Sequence, residues 1–254
     1  MIHPSDILPI MQPAIDIQNL CKTYAKKKVA VRNFSLTVNS GEIFGFLGPN
    51  GAGKTTTIKI MLGLLTATSG SVRIHGKDPA KPCNRSGLGY LPEVANYYEF
   101  MNVRELLRYY GILCGMSLRE IRRRTDEMLD LVDLTDTAAR PLKEFSKGML
   151  QRAGIAQALL HDPDLLILDE PTTGLDPLGR MQMRDILEAL RKAGKTVFFS
   201  SHELSEAEMI CDRVGIIKNG SLSWCGPTRE VAGEGEKNLE KIFLDIINKP
   251  TSNE

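Results

Sequence analysis

The chain has 254 residues, of which 42% are hydrophobic and 25% are charged, and its formal net charge is +1. The apolar content excludes a disordered chain, and the near-zero charge excludes a global field that would draw the protein onto nucleic acid or an anionic bilayer. No apolar stretch approaches the roughly 20 residues of a membrane-spanning helix. The five cysteines form no C-x-x-C pair, which indicates free thiols, so we expect a protein of the reducing cytoplasm.

The first half of the chain alternates between strand and helix patterns, after a loose arm at 1–13. Strands are predicted where β-forming residues cluster, at 14–18, 31–38, 42–47, 71–75 and 88–91. A polar turn at 26–28 separates the first two strands, and an amphipathic helix at 53–65 follows the third. The early strands suggest a small antiparallel sheet at one side of the molecule.

The second half begins with a helical stretch at about 102–160, in which Ser117 and Glu120 have the spacing of a capping box. Apolar runs at 165–168 and 196–199 predict buried parallel strands, and a long helix at 178–192 separates them. Asn219-Gly220 predicts a hairpin with a type I′ turn. An amphipathic helix at 239–247 precedes a frayed tail at 248–254.

This order predicts an α/β fold in which helices cover a mostly parallel sheet, with a small antiparallel β-subdomain and an inserted α-helical subdomain. We expect a single domain at 14–247 between flexible termini. Its parts are predicted at the following ranges: core and β-subdomain at about 14–92 and 162–226, helical subdomain at about 93–161, and C-terminal helix at about 237–247.

A glycine-rich loop between the third strand and the first helix fits the pattern G-x-x-x-x-G-K-[ST], with residues Gly48, Pro49, Asn50, Gly51, Ala52, Gly53, Lys54 and Thr55. Glycines allow backbone amides to turn inward around phosphate oxygens, and the next helix presents its positive end to the same anion. Lys54 adds a charge near the outer phosphates, and Thr55 offers a hydroxyl to Mg²⁺. The alternative is a glycine-rich turn that binds no nucleotide.

Two adjacent acids end the apolar run at 165–168. At the carboxyl edge of a parallel sheet such acids face the crevice where ligands bind. Asp169 is therefore a candidate for the magnesium shell, and Glu170 for the base that orients and deprotonates an attacking water. A helix N-cap is the alternative interpretation of this pair, and the phosphate-binding loop earlier in the chain favours the catalytic one.

These residues form part of an ordered set of motifs, and over about 14–226 the chain resembles the ATP-binding subunit of an ATP-binding cassette (ABC) transporter. Two further segments match: Phe145–Arg152 is similar to the family signature L-S-G-G-Q followed by Q-R, and Gly174–Asp176 is similar to the D-loop. Three single residues also match the family: His202 at the switch position, Tyr24 at the adenine-stacking position and Glu93 at the Q-loop position.

The resemblance implies a P-loop ATPase core that works as a head-to-tail dimer, with two ATP molecules held between the loop of one subunit and the signature of the other. It implies catalytic roles for Lys54, Glu170 and His202, and Mg²⁺ held by Thr55, Asp169 and Glu93. The implied ATP-binding residues are Tyr24, the loop Gly48 to Thr55 with Thr56, Glu93, Ser146, Gly148 and Asp176. Asp176 is also a candidate N-cap before Pro177.

The implied partners are a separate transmembrane transporter subunit and a second ATPase subunit, either a copy or a paralogue, on the cytoplasmic face of the membrane. No nucleic-acid partner is expected. The aromatic cluster Tyr97, Tyr98, Phe100 and Met101 is a candidate groove for a short helix of the membrane subunit, with core packing as the equal alternative.

The signature departs from the family pattern at Phe145, Lys147 and Met149, and Glu93 replaces the usual glutamine. Such variants look most like ATPases of bacterial ABC-2-type and multidrug-type exporters. Lys147 is either a phosphate contact or a solvated side chain, and the arginines at 122–124 predict a solvated helix face.

Two other functional classes remain as alternatives. A soluble cassette ATPase of DNA repair or translation usually carries two cassettes or a long coiled-coil insertion, whereas this sequence has one P-loop and no sustained heptads. A small-molecule kinase would use the same loop but would not need the signature at 145–152.

Overall fold

The structure is a computed structural model that describes residues 12–25, 28–228 and 239–248. Parts of four predictions lie outside these residues: most of the arm at 1–13, the lysines Lys26 and Lys27 of the first turn, residues 237–238 of the C-terminal helix, and the tail at 249–254.

The described strands are β1 Ile15–Thr23, β2 Val29–Val38, β3 Ile43–Leu47, β4 Ser69–Ile74, β5 Leu88–Leu91, β6 Leu165–Asp169, β7 Thr196–Ser201, β8 Arg213–Lys218 and β9 Ser221–Pro227. The described α-helices are α1 Lys54–Met61, α2 Val103–Leu113, α3 Leu118–Leu131, α4 Lys147–Leu159, α5 Pro177–Lys192, α6 Leu204–Ile210 and α7 Leu239–Asn248.

These strands form two sheets. The smaller sheet is antiparallel with the order β2-β1-β4, and the larger has the order β5-β6-β7-β3-β8-β9, in which only the β8–β9 pair is antiparallel among the described strands. The predicted α/β class, with a mostly parallel sheet and a small antiparallel sheet beside it, is confirmed. The helices α2, α3 and α4 follow one another between β5 and β6, and the residue limits assigned to a helical subdomain stay a prediction.

The parallel strands are buried on both faces, which is why they appear as unbroken apolar runs rather than alternating ones. In β6, Leu166 and Leu168 pack with the residues of α2 to α5, whereas Leu165 and Ile167 face α1 and the antiparallel sheet. The ring of Phe198 in β7 stacks on Phe44 at 5.7 Å between centroids on that second face. Two separate hydrophobic layers therefore fix the register of the central strands.

Several local predictions are corrected. The helix predicted at 53–65 ends at Met61, because Gly63 takes a left-handed φ of +64°. At the predicted capping box of α3, Ser117 Oγ accepts from the amide of Glu120, but the reciprocal pair of bonds forms instead at Asn102 and Glu105, at the start of α2. The hairpin turn is confirmed, since Asn219 and Gly220 both have positive φ.

The strand order brings three loops to one edge of the larger sheet. Strands β6, β7 and β3 are neighbours and run parallel, so their carboxyl ends meet there. The glycine-rich loop follows β3, Glu170 follows β6 and His202 follows β7. This edge is where an open α/β sheet places its ligand.

Candidate nucleotide-binding site

The glycine-rich loop has no room for a side chain at its two ends, Gly48 and Gly53. A Cβ on Gly48 would lie 2.4 Å from the Ile217 carbonyl oxygen, and one on Gly53 would lie 2.5 Å from that of Ala30. Gly53 also has a φ of +111° as the N-cap of α1. Gly51, with a φ of +80°, would meet nothing within 4 Å and faces open space. The loop is thus closely packed at both ends and open in the middle, as a phosphate cradle requires.

Lys54 is the first residue of α1, and its side chain folds back across the loop. Only 6% of the residue is exposed. Its Nζ donates to the Gly48 carbonyl oxygen at 2.6 Å and lies 3.1 Å from Glu170 Oε1. The ammonium therefore stands between the loop and the end of β6.

Glu170 has a strained backbone. Its φ is +52°, a conformation that costs energy for a residue with a side chain. Its Oε2 accepts from Thr173 Oγ1 at 3.0 Å and lies 2.8 Å from His202 Nδ1. Burial alone would raise the pKa of Glu170, but the Lys54 charge and the hydrogen bonds from Lys54, His202 and Thr173 outweigh it and hold this pKa below its usual value.

The pKa of the adjacent residue, Asp169, is shifted in the opposite direction. Asp169 is 2% exposed, and its Oδ1 accepts from Ser200 Oγ at 2.6 Å. Burial, together with the nearby Glu170 charge, raises the pKa of Asp169, while hydrogen bonds from Ser200 and Thr55 lower it only in part. A buried carboxylate that is undercompensated in this way, beside a threonine hydroxyl, suits a divalent cation.

Two of the predicted magnesium ligands, Thr55 and Asp169, lie in hydrogen-bond contact with each other. The described residues contain no group of three or more His, Cys, Asp or Glu side chains that could hold a metal ion. That fits Mg²⁺, which uses one or two protein oxygens together with substrate phosphates and water rather than an all-protein cage. Thr55 and Asp169 therefore fit the ion with the help of a nucleotide.

A cleft of about 770 Å³ opens over these groups. Its lining includes Pro49, Asn50, Gly51, Gly53, Lys54, Thr55, Thr56, Tyr24, Glu93, Glu170 and His202. Ala52 is buried beneath the loop. Tyr24 is 40% exposed in this lining, and its hydroxyl lies 3.3 Å from Thr56 Oγ1. An exposed aromatic ring at the mouth of a phosphate loop provides a stacking surface for a base.

Six predicted site residues do not line this cleft. Gly48, Ala52 and Asp169 are buried, whereas Ser146, Gly148 and Asp176 belong to other parts of the structure. Ser146 is the N-cap of α4, and its Oγ accepts from the Met149 amide at 3.3 Å. Asp176 is the N-cap of α5, and its Oδ1 accepts from the Gly179 amide at 2.8 Å. The capping role of Asp176 is confirmed, and Ser146, Gly148 and Asp176 form a second group of helix starts separate from the cleft.

The departures at Glu93 and Lys147 lie together. Both line a cavity of about 220 Å³ that also contains Gln151 and Thr173. The Lys147 ammonium covers Gly174, since a Cβ on that glycine would lie 2.3 Å from Lys147 Nζ. Lys147 therefore packs on the loop that carries Thr173, the hydrogen-bond partner of Glu170.

The sequence missed two polar residues that bind the acid pair Asp169 and Glu170. Ser200 donates to Asp169 and also accepts from the Glu170 amide at 3.1 Å, and Thr173 donates to Glu170. A signal was available for Ser200, because a serine pair directly follows the apolar run at 196–199. Thr173 has no signal beyond its place three residues after Glu170.

The arginine run was predicted as a uniformly solvated face, which is wrong for Arg124. Its side chain is 13% exposed, and it donates to the carbonyl oxygens of Leu159 and Leu160 at the end of α4. Arg122 and Arg123 are exposed, and Arg123 pairs with Glu127. Helical periodicity explains this, because consecutive residues point about 100° apart.

The aromatic cluster after Glu93 divides between the two alternatives considered. Tyr97 and Met101 pack against the core, whereas Tyr98 is 55% and Phe100 75% exposed. Tyr97 also lines a groove of about 730 Å³ between the sheet edge and the helices α2 and α3. Half of the cluster is therefore core, and half is available to a partner.

Comparison with known proteins identifies the family. Residues 31–173 match the family model described as ABC transporter. The chain is 43% identical over 238 residues to the bacitracin transport ATP-binding protein BcrA of Bacillus licheniformis, covering 92% of this chain and 76% of that protein. It is 37% identical to the lantibiotic transport ATP-binding protein SrtF of Streptococcus pyogenes, covering 92% and 97%.

A solved ATP-binding subunit of an ABC transporter superposes with a TM-score of 0.81 at 30% identity, covering 92% of this chain and 100% of that one. Among the residues that the structure describes, every helix is too short or too polar to cross a lipid bilayer. The phosphate loop, the two acids of β6 and these likenesses lead to one conclusion: the chain belongs to the ATP-binding subunits of ABC transporters.

Proposed function

We propose that this chain is the ATPase subunit that powers a membrane transporter, with Glu170 as the base and Lys54 as the phosphate ligand. The observation that carries this assignment is the buried Lys54–Glu170 ion pair, which lies between the glycine-rich loop and the end of β6. It joins the two groups that ATP hydrolysis needs. The named relatives are transport ATP-binding proteins, which favours this function over a soluble repair or translation ATPase and over a kinase.

ATP binding changes the state of Glu170. The β- and γ-phosphates compete for the Lys54 ammonium, which in the free subunit pairs with Glu170. Once Lys54 turns to phosphate, burial, which raises the pKa of Glu170, is offset only by the hydrogen bonds from His202 and Thr173, so this pKa rises. A carboxylate with a higher pKa is a stronger base, so the substrate itself prepares Glu170 to accept a proton from the attacking water.

Thr55 and Asp169 hold Mg²⁺ in this proposal, with Glu93 lining the same cleft. When bound, the ion neutralises charge on the phosphates. Asp169 does not move to meet it, because Ser200 fixes one carboxylate oxygen at 2.6 Å. His202 keeps Glu170 oriented through Nδ1, and its partly exposed ring places the other ring nitrogen for contact with the γ-phosphate.

A second ATPase subunit completes the site. Ser146 and Gly148 lie at the start of α4, where helix amides suit an anion, and they do not line the cleft of their own subunit. We infer that they contact the γ-phosphate bound in a second subunit, with Asp176 at the same interface. Hydrolysis then removes the group that joins the two subunits, and the dimer reopens.

The membrane partner is a separate transmembrane subunit, and the ATPase acts at the cytoplasmic face, where ATP is supplied. The exposed rings of Tyr98 and Phe100, 5.8 Å apart between centroids, offer an apolar contact beside the groove that Tyr97 lines. Exporters of the ABC-2 and multidrug type are the subgroup that we propose.

Phosphate release with Mg-ATP tests the assignment of the base. Glu170→Gln is expected to bind ATP and to hydrolyse it about 10²–10⁴-fold more slowly. Glu188→Gln is the matched control, since this exposed carboxylate of α5 pairs only with Arg191 among the described residues, and it should keep normal turnover. Near-normal turnover in Glu170→Gln would refute the assignment.

A further inference from the structure

A groove of about 550 Å³ between α2 and α3 lies outside the nucleotide cleft. It is lined by four arginines with aliphatic side chains between them: Arg104, Arg108, Arg119, Arg122, Leu118 and Ile121. Arg104 and Arg108 are one helical turn apart on α2, and Arg119 and Arg122 are similarly spaced on α3. The two helices thus direct four guanidinium groups to one surface of a chain whose net charge is only +1.

Three of these arginines have no counter-charge within the described part of the chain. Arg104 pairs with Asp126 at 2.6 Å, but no ion pair or hydrogen bond engages Arg108, Arg119 or Arg122 there. Some arginines of other elements, such as Arg184 and Arg213, are paired with a carboxylate, whereas Arg73 and Arg85 bind backbone carbonyl oxygens.

The nearest acids on the same helices are engaged elsewhere. Glu105 accepts from the Asn102 amide in the capping box of α2. Glu120 lines the other groove, between the helices and the sheet edge. Glu127 binds Arg123 and Arg124. The positive charge of the groove is therefore left for a ligand.

Exposed aliphatic side chains accompany this charge. Leu118 is 61% exposed in the groove, and at the end of α2 Ile112 is 52% and Leu113 64% exposed. Ile112 continues the stripe of Arg104 and Arg108 at four-residue spacing. Arginines mixed with exposed aliphatic residues are typical of surfaces that lie at a membrane interface.

We propose that the groove between α2 and α3 binds the phosphate headgroup of an anionic phospholipid, with Leu118 and Ile112 entering the acyl boundary beside it. Guanidinium groups bind phosphate through paired N–H donors, and three unpaired ones suit a headgroup of net negative charge. An acidic peptide would satisfy the arginines but would leave the aliphatic residues at the end of α2 exposed, so lipid is favoured. The proposal rests on the proposed function only in placing the subunit at a membrane.

Vesicle sedimentation of the full chain tests the proposal. The wild-type chain should bind vesicles of phosphatidylcholine mixed with phosphatidylglycerol far better than phosphatidylcholine alone. The triple variant Arg108→Gln, Arg119→Gln, Arg122→Gln should lose about fivefold in partitioning per arginine, or on the order of 10²-fold in all. The matched control Lys59→Gln, Lys77→Gln, Lys81→Gln removes the same charge from exposed lysines outside α2 and α3. It should bind like the wild type.

Three results would overturn the proposal. The first is equal binding of the wild type to both kinds of vesicle, and the second is equal binding of the triple variant and the wild type to anionic vesicles. The third is a triple variant that keeps vesicle binding but loses its co-purifying membrane subunit, which would assign the groove to an acidic protein segment. Mg-ATP hydrolysis separates these failures from failure of the proposed function, because the triple variant should retain wild-type turnover.

Discussion

The nucleotide cleft and the start of α4 are both places where helix amides suit phosphate, yet they differ in how their polar groups are satisfied. In the cleft, Lys54 already has an internal counter-charge in Glu170, and Tyr24, Thr55 and Glu93 surround one cavity. At α4, Ser146 is used only as a cap, and the helix start carries no acid in its first turn. The cleft contains both members of the Lys54–Glu170 ion pair. The start of α4 offers helix amides with no acidic side chain in its first turn.

The difference indicates where each region acts. A site with its own counter-charge can fold and wait within one subunit, because the buried ammonium is already paired. A helix start without an anion is complete only when another molecule provides one. The two regions are thus expected to respond differently to substitution, and the following tests use that difference.

The largest effect is expected at Lys54. Lys54→Ala should weaken ATP binding on the order of 10²-fold, because a charge-assisted hydrogen bond to phosphate is lost, while Lys59→Ala on the exposed side of α1 should bind normally. Isothermal titration calorimetry measures both affinities.

Lys54→Ala also leaves the buried Glu170 carboxylate without its ammonium partner, with only Thr173 and His202 still bound to it, so we expect a loss of stability of at most about 3–5 kcal/mol. The double variant Lys54→Ala, Glu170→Gln should regain most of that stability and still fail to bind ATP. Recovery of ATP affinity in the double variant would show that the loss was one of folding and not of phosphate contact.

A smaller effect is expected at Gly148, which lies at the start of α4 and not in the nucleotide cleft. A Cβ there would meet Leu175 Cδ2 at 3.8 Å, an ordinary contact, so Gly148→Ala should fold normally. It should also bind ATP with wild-type affinity as an isolated subunit, but should lose at least about tenfold in kcat because the methyl group obstructs a phosphate held by a second subunit.

Gly48→Ala provides the contrast to Gly148→Ala. Its Cβ would lie 2.4 Å from the Ile217 carbonyl oxygen, so this variant should lose stability as well as ATP binding. Thermal unfolding and steady-state kinetics separate the two substitutions. If Gly148→Ala turned over normally, the start of α4 would have no part in catalysis.

The smallest effect is expected in the stability that the folded chain loses by burying ionised Asp169. Because burial raises the pKa of Asp169, its ionised form destabilises the folded chain at neutral pH. Asp169→Asn should therefore raise the stability and the Tm by a small amount, while Mg-dependent hydrolysis is lost. The gain should vanish as the pH falls and the wild-type carboxyl becomes protonated.

Asp164→Asn is the control for this change, since Asp164 is exposed beside the same strand. It should leave both Tm and hydrolysis unchanged. A Tm that fell in Asp169→Asn at neutral pH would contradict the raised pKa as a cost to the fold.

Local pattern was sufficient to predict the elements around the cleft. The run Leu165 to Leu168 identified a buried strand, and the acids at its end identified the ligand edge, because both features depend on neighbouring residues. The glycine-rich loop was predictable for the same reason. The family assignment came from the order of several such local motifs.

Contacts between distant parts of the chain were not predictable from pattern. The Lys54–Glu170 pair depends on β3 and β6 ending at the same edge with β7 between them. The partial burial of Arg124 depends on where α4 ends, and the groove between α2 and α3 depends on how those helices pack. Each needs a tertiary register that one sequence does not encode locally.

The central claim is that ATP joins two subunits and that its cleavage lets them separate. Sedimentation velocity of Glu170→Gln with Mg-ATP, and with its membrane subunit supplied if needed, tests this most directly. We expect a dimer with ATP that reverts to monomer with ADP. A chain that binds Mg-ATP under these conditions and stays monomeric would contradict the claim.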